Sequence, residues 1–139
     1  MKEDIQGLVD KLQPALKSIL DRGFYEEEVL IGQDKVLIHK LTKGEKVSAS
    51  EASGSADLIT REHKREIEIL AHAVSQINGV KFKNHQEAVN FFFALDEDVF
   101  EVWYELYNGL QAKTKEAVLA LRESLKNLQK DQKDAVSGS

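Results

Sequence analysis

Four histidines, His39, His63, His72 and His85, are the side chains of this chain most able to bind a metal or carry a proton. Two imidazoles that share a metal on one helix sit four residues apart, one turn up the same face. No histidine pair has that spacing. His63 and His72 are nine apart, about half a turn out of phase on a helix. The expectation is exposed or half-buried histidines, with no metal and no cofactor.

Carboxylates are plentiful, notably Glu26, Glu27 and Glu28 and again Asp96, Glu97 and Asp98. Adjacent acids point away from one another instead of converging as paired acid and base. Gly32, Gly44, Gly54 and Gly79 are scattered, and none builds a phosphate-binding loop. No loop spaces oxygen ligands as a calcium-binding EF-hand does. The serines from Ser48 to Ser55 have no nucleophile elbow around them, so no catalytic residue is assigned and a noncatalytic protein is expected.

Aromatic density is the feature that remains. Phe91, Phe92, Phe93, Phe100, Trp103, Tyr104 and Tyr107 fall within two expected helices. Three consecutive phenylalanines spread through about 200° of helical arc, more than one face can bury. Most of these rings suit the core of a small helical domain. The remainder suits a recognition surface, because aromatic anchors carry much of the energy of protein interfaces. Phe91, Phe93, Phe100, Trp103, Tyr104 and Tyr107 are the candidate partner-binding residues, with Phe91, Phe93 and Tyr104 the ones expected outside the core.

The elements that must position them follow from periodicity. Ile5, Leu8, Val9, Leu12, Leu16, Ile19 and Leu20 recur at helical spacing, so residues 4–22 read as a helix kinked or split near Gln13 by Pro14. The period then shortens to two. Val29 and Ile31, a turn of Gly32, Gln33, Asp34 and Lys35, then Val36 and Ile38 predict a β-hairpin over 28–41. Residues 47–57 are small and polar and read as a flexible loop or a poorly ordered helix start. Residues 58–130 form the helical part, beginning with an amphipathic helix through Ile67, Leu70, Ala71, Val74 and Ile77 that stops at Asn78 and Gly79.

Asn84 and Glu87 resemble a helix cap and open a short helix carrying Ala88, Val89, Phe92 and Leu95. Asp96 and Asp98 open the next, where Phe100, Trp103, Tyr107, Leu110, Thr114, Ala117 and Leu121 step by threes and fours. Gly109 weakens this pattern by about 1 kcal/mol relative to alanine without breaking its phase, which favours one long helix over two. Residues 131–139 lose periodicity and are expected to fray. The fold class is therefore mainly α: one domain over 1–139, a small helical domain with an N-terminal β-hairpin and a long C-terminal helix.

Composition narrows the function classes. There are no cysteines and 1 proline, and the net charge is −5. An acidic chain without a basic, aromatic-interleaved stripe is not expected to bind nucleic acid. The densest apolar run, Val89 to Leu95, is far short of the roughly 20 residues that span a bilayer, so no membrane partner is expected. The mixed-charge start does not read as a secretory signal.

The order of these signals resembles the small tail assembly and baseplate-hub assembly chaperones of long-tailed bacteriophages. The likeness covers about Glu28 to Leu110: the hairpin from Val29 to Ile38, then Leu41 to Glu45, the helix Lys64 to Ile77 closing on Asn78 and Gly79, and Leu95 to Leu110 with its Tyr107. It implies a helix-rich protein with a small β element that binds an aggregation-prone tail component during assembly in the host cytoplasm. Partners would be other phage proteins. No catalytic residue carries over, and the segments before the hairpin and after Tyr107 have no place in the pattern.

Two rivals stand beside this expectation. One is a structural virion component of a baseplate, connector or capsid, held by the hairpin edge and the C-terminal helix. The other is a small enzyme or metal protein whose site forms across subunits. The seam from Phe100 to Leu128 suits packing within the chain or a coiled coil with another, including a second copy.

Overall fold

The structure, a computed structural model, describes residues 13–54 and 57–137. Helix α1, Gln13–Arg22, places Pro14 in its first turn, where a missing N–H leaves no bond unmade. The earlier part of the expected 4–22 helix, and with it the kink, lies outside the described residues. Gly23, at φ 81°, closes the helix by donating its amide to Ile19 at 2.8 Å. Ser18 then couples α1 to the first strand, donating to the Phe24 carbonyl at 2.8 Å and accepting from the Glu26 amide at 2.9 Å.

Strands β1, Glu26–Ile31, and β2, Asp34–His39, pair antiparallel with Ile31 opposite Asp34. The hairpin thus turns on Gly32 and Gln33 alone, and Asp34 and Lys35, expected in the turn, already belong to β2. Gly32 supplies the positive φ that so tight a turn requires. Along β2 Val36 and Ile38 face inward and are fully buried.

Residues 47–52 of the expected 47–57 loop belong instead to helix α2, Lys43–Ala52; Ser53, Gly54 and Asp57 are not helical, and Ser55 and Ala56 lie outside the described residues. A capping box starts the helix. The Thr42 hydroxyl accepts from the Glu45 amide at 3.2 Å, and the Glu45 carboxylate accepts from the Thr42 amide at 3.0 Å. Ala49 is buried, so a small residue here marks close packing rather than freedom.

Helix α3, Leu58–Ala73, packs against α2 and buries Leu70, Ala71 and Ala73. It ends four residues before the expected stop. Val74–Ile77 leave the helix directly as strand β3 and pair antiparallel with β2, Val36 opposite Ile77, with the register slipping between Leu37 and Ile38. Among the described residues the sheet is therefore three-stranded, in the order β1-β2-β3, and the hairpin gains the support that two strands lack alone. Asn78, at φ 53°, fastens the following turn to the hairpin: its side chain accepts from the Lys35 amide at 2.8 Å and donates to Asp34 at 2.9 Å.

Helix α4, His85–Phe93, starts at the expected cap, where Asn84 accepts from the Glu87 amide at 2.8 Å. Helix α5, Glu97–Ser137, follows, with the Asp96 carboxylate accepting from the Asp98 amide at 2.9 Å. It runs as one helix of 41 residues, about 60 Å long, through Gly109. Its backbone stays helical past Lys130, where fraying was expected, to Ser137. The core lies between the inward face of β2, α3, α4 and the first half of α5, centred on Val36, Ile38, Leu70, Phe92 and Tyr107. The chain is mainly α, with the hairpin near its start and the long helix at its end. Among the described residues no helix is long and apolar enough to cross a membrane.

Candidate functional site

The short α4 and the first turns of α5 bring the candidate aromatics together. Phe92 is the inward residue of α4, and its ring meets the Trp103 indole at 5.3 Å with the planes 80° apart. Trp103 and Tyr107 lie four apart on the inward face of α5 and are 7% and 0% exposed. These two of the six candidates belong to the core, and neither offers a ring to a partner. Tyr107 also anchors the chain after β2: its hydroxyl accepts from the buried Leu41 amide at 3.4 Å, and the Lys40 ammonium lies 5.9 Å from its ring centroid. Burial holds the Lys40 ammonium below its usual pKa.

Phe100 and Tyr104 are half-buried and stack on one another, centroids 6.2 Å apart at 13°. Burial, and then the Glu66 carboxylate, push the Tyr104 phenol above its ordinary pKa. Phe91 and Phe93 flank Phe92 and point outward, 37% and 74% exposed. Phe93 borders a groove between α3 and α5 lined by His63, Ile67, Phe92, Leu95 and Phe100, with a volume of about 240 Å³. Phe91 closes the other flank with Phe82, centroids 5.6 Å apart. Phe82 was not singled out in the sequence, because it precedes α4 in an aperiodic stretch.

A second cluster was missed by sequence reasoning. His39 at the end of β2 is 8% exposed and bridges two elements, its Nδ1 3.0 Å from the Ser75 hydroxyl on β3 and its Nε2 2.9 Å from Glu45 on α2. Burial alone would raise the Glu45 pKa, but the Thr42 amide and His39 outweigh it and hold the carboxyl below its ordinary value. The other carboxylate oxygen of Glu45 lies 3.9 Å from His72 Nδ1.

His72 in turn stacks on His85, ring centroids 4.2 Å apart at 28°. His85 Nε2 is 2.6 Å from the Glu68 carboxylate. Burial, then the neighbouring His85, lowers the His72 pKa. The available sequence signal was Glu68 with His72, a carboxylate and an imidazole one turn apart on α3. A search confined to histidine pairs passes over it. No family model, curated protein or solved structure matches the chain.

Proposed function

We propose that this chain is a noncatalytic phage tail or baseplate assembly protein that binds and shields an apolar client such as a tail component. The observation that carries the reading is the outward placement of Phe93 and Phe91 on either side of the buried Phe92. A short helix with both flanks aromatic leaves Phe93 uncovered and Phe91 covered in part, and the Phe93 groove continues them with Ile67, Leu95 and Phe100. Fully burying one such ring contributes about 1.5–3 kcal/mol before ordering costs. The order of sequence signals from Glu28 to Leu110 supplies the phage context.

A structural virion component is the second reading. It is favoured by β1, which among the described residues pairs only with β2, and by α5, which among the residues of described burial continues beyond its last buried one, Ala117, with Leu119 and Leu125 exposed. Mass spectrometry of purified mature virions separates the two. An assembly protein is absent or strongly depleted from particles while present in infected cells; a stoichiometric amount in the particle contradicts the first reading and supports the second.

A further inference from the structure

We propose that Glu68, His72 and His85 form a binding site for one divalent cation of the zinc class, joining the C-terminal half of α3 to the first residue of α4. The three ligand atoms lie within 4.8 Å of one another. Four-coordinate zinc, with metal–ligand bonds of about 2.0–2.2 Å, holds its ligand atoms about 3.3 Å apart. The distance to close is a small side-chain adjustment, in which the 2.6 Å contact of His85 with Glu68 opens to admit the ion.

The donor set chooses the ion. Two imidazoles and one carboxylate suit zinc, cobalt, nickel or copper, whereas magnesium and calcium favour all-oxygen sites. Three protein ligands leave a fourth position to water. The side chains are 13%, 19% and 42% exposed for Glu68, His72 and His85, so the site is sheltered on the α3 side and open on the α4 side, as metal entry requires.

A second observation points the same way. A metal-bound histidine is ordinarily oriented by a carboxylate at its other ring nitrogen. Glu45 stands 3.9 Å from His72 Nδ1, within reach of an ion pair though longer than a hydrogen bond, and would close on that nitrogen if Nε2 took the metal. Glu45 is itself held by His39 at 2.9 Å and by the Thr42 amide at 3.0 Å, and His39 by Ser75 at 3.0 Å. A chain of fixed groups from β3 through β2 and α2 thus holds a carboxylate beside the imidazole that would bind. Glu45 is a positioning residue in this scheme. Because α4 carries Phe91 and Phe93, a bound ion would also fix the helix that presents them. The site does not depend on the assembly role.

The test uses the full chain, free of any affinity tag and stripped of metal. Isothermal titration with zinc is expected to show one ion per chain, and His85→Ala and Glu68→Gln to abolish that binding. Glu45→Gln should weaken it about tenfold, while His63→Ala, outside the cluster, leaves it unchanged. No binding to the wild-type chain, or equal binding by His85→Ala, overturns the proposal. Cobalt(II) added to the wild-type chain needs no variant: intense visible bands of a four-coordinate ion are expected, and the pale spectrum of the hydrated ion alone would equally overturn it.

Discussion

The exposed ring of Phe91 meets the buried indole of Trp103 edge-on, centroids 6.0 Å apart and planes at 85°. Phe91 is therefore partly a core residue despite facing solvent, whereas Phe93 has no ring partner among the described residues. The three phenylalanines of α4 divide between core and surface. Phe92→Ala should cost about 3–5 kcal/mol of stability by urea unfolding, since it empties a fully buried ring site. Phe93→Ser should stay within about 0.5 kcal/mol of the wild type. Equal losses at the two positions would mean that Phe93 is not a surface residue.

The cap of α2 can be tested alone. Thr42→Ala removes the acceptor of the Glu45 amide and is expected to cost about 1 kcal/mol, with faster hydrogen exchange across the first turn of α2. Thr42→Ser keeps the oxygen and should restore most of the loss. Unchanged exchange in Thr42→Ala would return this segment to the loop its composition suggests.

That segment shows why part of the fold was readable and part was not. The hairpin, the Asn84 cap and the continuity of α5 through Gly109 all rest on local signals, namely alternation, a capping pair and an unbroken seam. In α2 the serines and alanines blur the helical period, and Thr42 with Glu45 three residues on was the legible clue. Strand β3 had no local clue. Val74 and Ile77 extend the helical pattern of α3, and only pairing with Val36 and Ile38 makes them a strand. The histidine–carboxylate cluster was hidden for the same reason, because His39, Glu45, His72 and His85 come from four elements that the sheet and α3 bring together.

Alkaline pH provides a further check. Burial, followed by the Glu27 carboxylate for Tyr25 and the Glu66 carboxylate for Tyr104, raises the pKa of both phenols above the ordinary value of 10.0. The fold favours the neutral phenols, so their contribution is fully present below the unfolded pKa. It is lost as pH rises through the folded values, because the unfolded chain ionises first. Lys113 acts in the same direction. Its hydrogen bond to Glu27 at 3.0 Å raises its pKa, and the stability this carries is also lost on the alkaline side. Urea midpoints should fall between about pH 9 and 11, and less steeply in Tyr104→Phe. Lys40, whose pKa burial lowers, acts in the opposite direction, so the deciding comparison is the variant: a midpoint that falls as steeply in Tyr104→Phe as in the wild type would contradict the burial of that phenol.

The most direct measurement tests the proposed client: a phage tail-tube or tape-measure protein is co-expressed with the wild-type chain or with Phe93→Ser and purified through the chain described here. The expected result is that the wild-type chain keeps its tail partner and Phe93→Ser loses it, with the helical circular dichroism of the two chains superimposable. Equal retention by both chains, or no tail protein held by either, would contradict an aromatic client-binding face on α4.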